Sequence, residues 1–294
     1  MKEGLIWGTG KIFQNTFSAI KYHEANGHFK IKAVTSNEQV YTYDYIRVFK
    51  ENINVGDYDF VIIMAEDEIF KNILSEALNI GFKKEQIIMS KVVRHPLFDV
   101  DKYLDILKYK PTIFANRCFG GHTYHSMGLE FSSPLVNIYF VDDDYIKFLK
   151  SPKFYLSQKL EVKDWVYNET LKINYPVVSC ADLSLHFYHN DNFEVAKAEW
   201  ERRKNRINWD NIICMMQTID PKIEEEFNNL EYEKKICFVP YKTDKKNSLY
   251  VDVTIDNKPF SQIINRIGDG SIIYYNPFDL LLTGIAKKLY NKFS

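Results

Sequence analysis

Short apolar runs alternate with longer amphipathic stretches along the first third of the chain. The run at residues 58–65 (YDFVIIMA) is continuously apolar, which is typical of a strand buried on both faces of a parallel sheet. Helical patterns lie between the runs, and Asn26-Gly27 and Gly81 end two of them. Strands that alternate with helices predict a parallel sheet joined by right-handed crossovers. The apolar runs that predict its strands are residues 4–7, 29–34, 58–65 and 86–89.

The remainder of the chain has a different pattern, after a connecting helix over about residues 99–109. A strand is predicted at 112–116 and another at 135–141 (LVNIYFV), and Leu183, Leu185 and Phe187 alternate as on a strand with one buried face. The most polar stretch, 231–247, is expected to hold an exposed loop. We therefore predict an α/β fold: a Rossmann-like parallel-sheet domain over residues 1–108, followed by a mixed α/β domain over 109–294.

Composition narrows the function classes. The 294 residues are 46% hydrophobic and carry 38 basic against 39 acidic side chains, which argues against disorder and against a globally basic nucleic-acid binder. No apolar run approaches the roughly 18 residues of a membrane span. The four cysteines are well separated and fit neither a disulfide framework nor a zinc site. We therefore expect a cytoplasmic protein with no signal peptide.

A glycine turn, Gly8-Thr9-Gly10, follows the first strand and precedes a helix. Backbone N–H groups in such a turn can face a phosphate at the helix N-terminus. The dinucleotide fingerprint would place a third glycine where Phe13 stands, and an acidic residue where Thr35-Ser36-Asn37 stand, with Glu38 coming late. We favour a scaffold turn, with Gly8, Thr9 and Gly10 as the nucleotide-binding residues of the weaker alternative. The segment resembles the small Rossmann-like modules attached to sugar-modifying enzymes of bacterial surface polysaccharides.

The segment 111–129 (PTIFANRCFGGHTYHSMGL) carries the most chemistry. Cys118 lies between the end of a strand and a predicted helix, and a thiol at a helix N-terminus should have a lowered pKa. Asn116, Gly120, Gly121 and His122 are candidate substrate-binding residues around it.

A second candidate group lies at 182–189 (DLSLHFYH). A cysteine at a helix start with a later strand histidine is the chain order of papain-like enzymes. Cys118 would be the nucleophile, His186 the base with His189 as its substitute, and Asp182 the group that orients the base. The alternatives are that these residues are only structural, or that Cys118, His122, His186 and His189 hold a metal, which their spacing disfavours.

Two charged segments provide further candidate sites: an acidic one that would be an alternative to the cysteine site, and a basic one that could bind an anionic group of its substrate. Asp142 and Asp144 follow the 135–141 strand, where carboxylates can hold a divalent metal and a diphosphate, although capping of the next helix is the favoured role. Arg202, Arg203 and Arg206 end a predicted helix over 192–208. They complement the helix dipole and could also grip a phosphate or carboxylate.

A set of short motifs is spread over about residues 112–255. They are 116–121 (NRCFGG), Gly128-Leu129, Ser133-Pro134, 144–147 (DYIK), Tyr155-Leu156, Tyr175-Pro176, 186–189 (HFYH), 200–203 (WERR) and 206–208 (RIN). With these motifs, the second domain resembles a bacterial family often labelled exopolysaccharide biosynthesis protein. The family usually has Asn-Asn-Cys-Trp-Gly-Gly, where this chain has Arg117 and Phe119 in place of Asn and Trp. The resemblance implies a role in surface-glycan assembly or modification.

Taken together, these observations favour an enzyme that modifies an exopolysaccharide precursor by Cys118-dependent acyl transfer. Its partners would be a glycan precursor or an activated donor. A metal-dependent glycosyltransferase that uses Asp142 and Asp144 is the rival enzyme, and a non-catalytic binding or scaffold protein is the alternative of another class. The sequence leaves the donor, the acceptor and the oligomeric state open.

Overall fold

A computed structural model describes residues 1–37 and 43–289, and it confirms the α/β class. The chain divides into two compact units. The N-terminal unit comprises Met1–Tyr109 with Ser126–Leu129, and the C-terminal unit comprises Lys110–His125 with Glu130–Ser294. Glu38, considered above as a late ribose-binding carboxylate, lies outside the described residues.

The N-terminal unit contains a five-stranded parallel sheet in the order β3-β2-β1-β4-β5. All four side chains of β4 are fully buried, as its continuous apolar run predicted, because helices cover both faces of such a sheet. The strands are β1 Glu3–Trp7, β2 Lys30–Thr35, β3 Ile46–Arg47, β4 Phe60–Ile63 and β5 Ile87–Met89. The α-helices are α1 Lys11–Ala25, α2 Asp67–Asn79, α3 Ser90–Val93 and α4 Val100–Tyr109.

The C-terminal unit has two sheets. A parallel sheet has the order β12-β11-β10-β6, and an antiparallel sheet has the order β7-β8-β9. Its strands are β6 Thr112–Ala115, β7 Leu160–Asn168, β8 Ile173–Cys180, β9 Leu183–His186, β10 Ile212–Gln217, β11 Lys234–Val239 and β12 Ser248–Tyr250. Its α-helices are α5 Phe119–Ser126, α6 Asp142–Lys150, α7 Pro152–Ser157, α8 Phe193–Lys204, α9 Pro221–Asn228, α10 Phe260–Gly268 and α11 Pro277–Thr283.

One sequence-based expectation for this unit is wrong, and another is incomplete. Residues 135–141 form no named strand: Asn137 has a positive φ of 69°, and only Tyr139 makes an isolated bridge, to His186. The polar stretch 231–247 holds a partly exposed loop over residues 240–247, but it also contains β11, whose residues 235–239 are buried.

The packing of α5 on β6 places the strand-to-helix turn at one edge of the parallel sheet. A Cβ atom built on Gly120 would lie only 2.5 Å from the Ala115 Cβ, so only glycine allows α5 to approach β6 this closely. The same packing leaves Cys118 at the carboxyl end of β6. In open α/β sheets, this end is where ligands bind.

Candidate functional site

Cys118 immediately precedes α5 and begins its hydrogen-bond ladder. The Cys118 carbonyl accepts a hydrogen bond from the His122 N–H at 3.0 Å. The first N–H groups of a helix have no partner inside the helix, so those of Phe119, Gly120 and Gly121 are the donors nearest to the sulfur along the chain. The thiol itself is half-buried.

A hydrogen-bonded clamp joins the ends of β6 and β10 beside this cysteine. The Asn116 side chain donates to the Gln217 carbonyl at 3.0 Å and accepts from the Gln217 N–H at 3.1 Å. Asp142 accepts from Asn116 at 3.2 Å, from Thr218 at 2.7 Å and from Arg117 at 3.5 Å. These contacts give Asn116, which we predicted to bind substrate, a role in fixing the position of Cys118.

His189, and not His186, faces the thiol. The Cys118 Sγ and the His189 Nε2 are 3.2 Å apart, which is within hydrogen-bond distance for sulfur. The nearest polar contact of the His186 ring is the Tyr175 hydroxyl, 3.5 Å from Nδ1. The prediction of His186 as the base rests on a strand alternation that continues beyond Phe187. In the structure, β9 ends at His186 and the chain turns at 188–189.

The pKa shifts of Cys118 and His189 do not favour the thiolate that the sequence predicted. Burial raises the pKa of the Cys118 thiol, and the Arg117 guanidinium opposes this shift without overcoming it. Partial burial of the ring lowers the pKa of His189, as does the nearby His122. The expected lowering of the thiol pKa is therefore wrong, and both groups are neutral at rest near pH 7.

An arc of five rings extends from the thiol–imidazole pair, and we call it the aromatic arc: Tyr139, His186, Tyr175, Tyr188 and His189. Successive ring centroids along it lie 5.0, 6.0, 5.3 and 5.3 Å apart. The Arg117 guanidinium lies over the Tyr139 ring at 4.6 Å, so the arc returns to the residue beside Cys118. None of its three tyrosines was predicted as a site residue, although Tyr175 and Tyr188 belong to the residues that carry the family resemblance.

Asp182 does not orient either histidine. Its carboxylate accepts a hydrogen bond from the Tyr155 hydroxyl at 3.0 Å and pairs with the Lys147 ammonium at 3.3 Å. Asp182 immediately precedes β9, and His186 is the last residue of that strand. Four residues of extended chain therefore separate the two by about 13 Å. The predicted orienting contact is therefore wrong.

The three arginines of α8 and its C-terminal end do not form an anion clamp. Arg203 is buried, donates to the Val136 carbonyl at 2.9 Å and pairs with Glu199 at 2.8 Å. Arg206 pairs with Glu130 at 3.0 Å, and exposed Arg202 lies 3.8 Å from Glu199. These contacts hold the segment around residues 130–136 against α8.

The carboxylates of the rival metal site have protein partners. Asp142 belongs to the clamp described above, and Asp144 accepts the Ser184 N–H at 2.9 Å. Both lie in the first turn of α6, where acidic side chains favour the helix dipole. Across residues 1–37 and 43–289, no group of three or more His, Cys, Asp or Glu side chains is arranged to hold a metal ion.

The glycine turn of the N-terminal unit keeps part of a phosphate-binding geometry. Gly8 has a positive φ of 100° and donates to the Thr35 carbonyl at 2.8 Å, while Gly10 precedes α1 without a side-chain cap. Thr9 is buried. Phe13, where the fingerprint has its third glycine, is fully buried in the packing of α1. The turn can present N–H groups to an anion, but α1 does not pack as the dinucleotide motif requires.

Comparison with known proteins gives family membership without an activity. Residues 88–281 match the model of DUF1919, a domain of unknown function, and residues 1–88 match a C2185-like N-terminal family. An uncharacterised protein of Haemophilus influenzae is 29% identical over 201 residues, which cover 66% of this chain and 94% of the relative. In the part of the chain that the structure describes, no helix is long and apolar enough to cross a membrane.

Proposed function

Because the chain belongs to the DUF1919 family, a domain of unknown function, we propose its function from the chemistry of the C-terminal unit. We propose a cysteine-dependent acyltransferase that acts on a surface-glycan precursor in the cytoplasm. The observation that carries this proposal is the 3.2 Å contact between the Cys118 sulfur and the His189 imidazole. A nucleophile within hydrogen-bond reach of a base is the core requirement of covalent acyl transfer.

The reaction divides into two steps that the named groups can perform. In the first, His189 takes the thiol proton while the Cys118 sulfur attacks the acyl carbonyl, and the carbonyl electron pair moves onto oxygen. The intermediate then collapses to a thioester and expels the leaving group, which receives the proton from His189. In the second step, an acceptor hydroxyl gives its proton to His189 and attacks the thioester. The C–S bond then breaks, and the departing sulfur takes that proton from His189, which regenerates the thiol.

The negative oxygen of each intermediate needs hydrogen-bond donors. The N–H groups at the start of α5 lie next to the sulfur along the chain and have no helical partner. Preorganised donors of this kind supply a large part of the rate in acyl transfer. Gly120 allows this helix start to lie close against β6, which fixes the donors relative to Cys118.

The acceptor class rests on the family resemblance described above, which implies surface-glycan modification. The aromatic arc supports it. Tyr175 is buried behind the other four rings, which are at least partly exposed and offer apolar faces together with polar tips. A sugar ring has the same combination of C–H faces and hydroxyl edges.

The decisive experiment compares variants that separate the two histidines. Wild-type protein is mixed with p-nitrophenyl acetate, and the acyl-enzyme on Cys118 is located by mass spectrometry of peptides. We expect His189→Gln to lower the acylation rate by about 10²–10⁴-fold. The matched control, His186→Gln, should stay within a few-fold of wild type because His186 does not contact the thiol.

Cys180, Cys214 and Cys237 are internal controls. All three are buried, and burial raises the pKa of each thiol. If Cys118 acylates no faster than these three, or if the two histidine variants are equally impaired, the acyltransferase proposal is wrong. A glycan-binding or scaffold protein would then be the better interpretation.

A further inference from the structure

Gln217 ends β10 at the carboxyl edge of the parallel sheet, beside the turn that carries Cys118. Its side chain is 3% exposed, and its Oε1 is buried without a hydrogen-bond partner. The hydrogen bonds that anchor Gln217 use its backbone only, through Asn116. Buried polar atoms nearly always have a partner, and a half turn of the amide exchanges its oxygen and its NH₂ group. The unpaired position of Oε1 therefore points to a group that is not part of the protein.

The strand register places this amide on the α5 side of the sheet. Cys214 and Met216 pack in the core cluster with Phe114, so the alternate side chains of β10 face the opposite side. In that opposite set, Met215 is paired in register with Ala115, and Ala115 is the residue that Gly120 of α5 approaches. Gln217 is two residues beyond Met215 and therefore lies on the face that α5 covers.

The backbone clamp also fixes how far Gln217 can lie from the nucleophile. Asn116 holds both backbone groups of Gln217, and Asn116 is two residues before Cys118. Adjacent strands are about 4.8 Å apart, so the start of α5 and the end of β10 border the same small region. Half a turn of the terminal amide places its NH₂ group where the unpaired oxygen lies.

We propose that the Gln217 side-chain amide is a second oxyanion donor of the Cys118 site, together with the N–H groups at the start of α5. This inference rests on the proposed acyltransferase function and adds a catalytic residue to it. The amide donates a hydrogen bond to the oxygen that becomes negative when the sulfur attacks the carbonyl. Asn and Gln side chains serve this purpose in acyl-transfer enzymes.

Two reactions of the same sulfur test the assignment. Acylation by p-nitrophenyl acetate passes through an oxyanion, whereas alkylation by iodoacetamide is a direct displacement at carbon and forms none. Gln217→Met keeps the length of the side chain and removes the amide. It should lower the acylation rate by about 10²–10³-fold and leave the alkylation rate within about twofold of wild type.

Gln217→Leu is the second variant, since it fills a similar volume with an apolar side chain that has no hydrogen-bond donor. It should show the same selective loss. Gln262→Met, at an exposed position of α10, is the matched control and should change neither rate. Circular dichroism and melting temperature establish that each variant is folded.

The outcomes separate the two proposals. If wild-type Cys118 is not acylated, the acyltransferase function has failed and the oxyanion role fails with it. If wild type is acylated but both Gln217 variants lose acylation and alkylation equally, Gln217 is only structural. If both folded variants keep full acylation, the amide is not a donor to the oxyanion.

Discussion

Replacing Gly120 with alanine should disturb the junction that carries Cys118. The new Cβ would lie 2.5 Å from the Ala115 Cβ and 3.5 Å from the Ile113 Cγ2. Carbon atoms in contact prefer separations of about 3.5–4.0 Å. Because both Cβ atoms are attached directly to backbone, a rotamer change cannot relieve the clash, and α5 must move away from β6 by about 1 Å.

The size of the effect follows from two opposing contributions. Overpacking of a core contact costs about 1–3 kcal/mol, and this clash belongs at the upper end because no side chain can turn aside. Alanine favours a helix over glycine by up to about 1 kcal/mol. The Gly120→Ala variant should therefore lose about 2 kcal/mol of stability, and a displacement of about 1 Å at the nucleophile should lower acylation by about 10²-fold.

Gly121→Ala is the matched control on the same helix. Its Cβ would lie 3.3 Å from the Val136 Cγ1, a terminal methyl that can yield by a few tenths of an ångström. This variant should be neutral or more stable than wild type by up to about 1 kcal/mol. Urea unfolding gives both stabilities. Equal stabilities of the two variants would refute the argument that Gly120 is required for the close approach.

Three further predictions concern ionisable groups. Burial lowers the pKa of His95 to about 4, so the stability that it contributes is complete above its ordinary pKa of about 6.5 and is lost as the pH falls toward 4, by up to about 3 kcal/mol. His95→Gln should flatten that part of a melting-temperature profile, and an unchanged profile would contradict this cause. Arg203→Ala should cost about 2–4 kcal/mol because it leaves the buried Val136 carbonyl and the half-buried Glu199 carboxylate without this partner, whereas the exposed Arg202→Ala should stay within about 0.5 kcal/mol; chemical denaturation measures both. Asp142→Asn removes the carboxylate beside the guanidinium next to Cys118, which should lower the thiol pKa and speed alkylation at pH 7, and a slower reaction would show that the carboxylate does not neutralise that guanidinium.

The sequence predicted the elements whose side-chain pattern matches their burial. The uninterrupted apolar run of β4 and the alternation along β9 both correspond to the observed strands. The strand β11 was missed because two lysines precede its apolar residues. Lys235 is nevertheless buried and donates to the Asn228 carbonyl at 2.7 Å and to the Leu230 carbonyl. From the sequence alone, a strand that contains hydrogen-bonded lysines cannot be distinguished from a polar loop.

At residues 135–141 the opposite occurs: the sequence predicts a strand that the structure does not contain. Leu135, Val136, Ile138 and Phe140 are buried, but an apolar run indicates burial rather than a particular backbone. Here the backbone turns at Asn137, and the Phe140 N–H bonds to the Asn116 carbonyl at 3.0 Å. That contact joins residues 24 positions apart, and no local pattern contains it.

For the site, the sequence analysis singled out Cys118 and two candidate histidines, of which His189 contacts the thiol. The choice between His186 and His189 depended on the residue at which β9 ends, and strand ends are poorly defined by pattern. Gln217 carried no signal of its own, because its position beside Cys118 results from the register of β6 and β10. Asp182, by contrast, could have been excluded from the length of a strand alone.

The resting state of the thiol–imidazole pair follows from a comparison of magnitudes. The dipole of a helix stabilises a charge at its end by about 0.3–1 kcal/mol, which corresponds to less than one pKa unit, and α5 has only eight residues. Desolvation can shift a buried group by up to about 3–5 units in the opposite direction, and for Cys118 it is the largest influence. In the proposed reaction, the sulfur keeps its proton until a carbonyl is in place, and His189, whose pKa is lowered by partial burial of the ring, removes that proton as the bond to carbon forms. In that step, a positive charge develops on the imidazole and a negative charge on the carbonyl oxygen. The proposed oxyanion donors therefore stabilise a charge separation that a preformed thiolate–imidazolium pair would already contain.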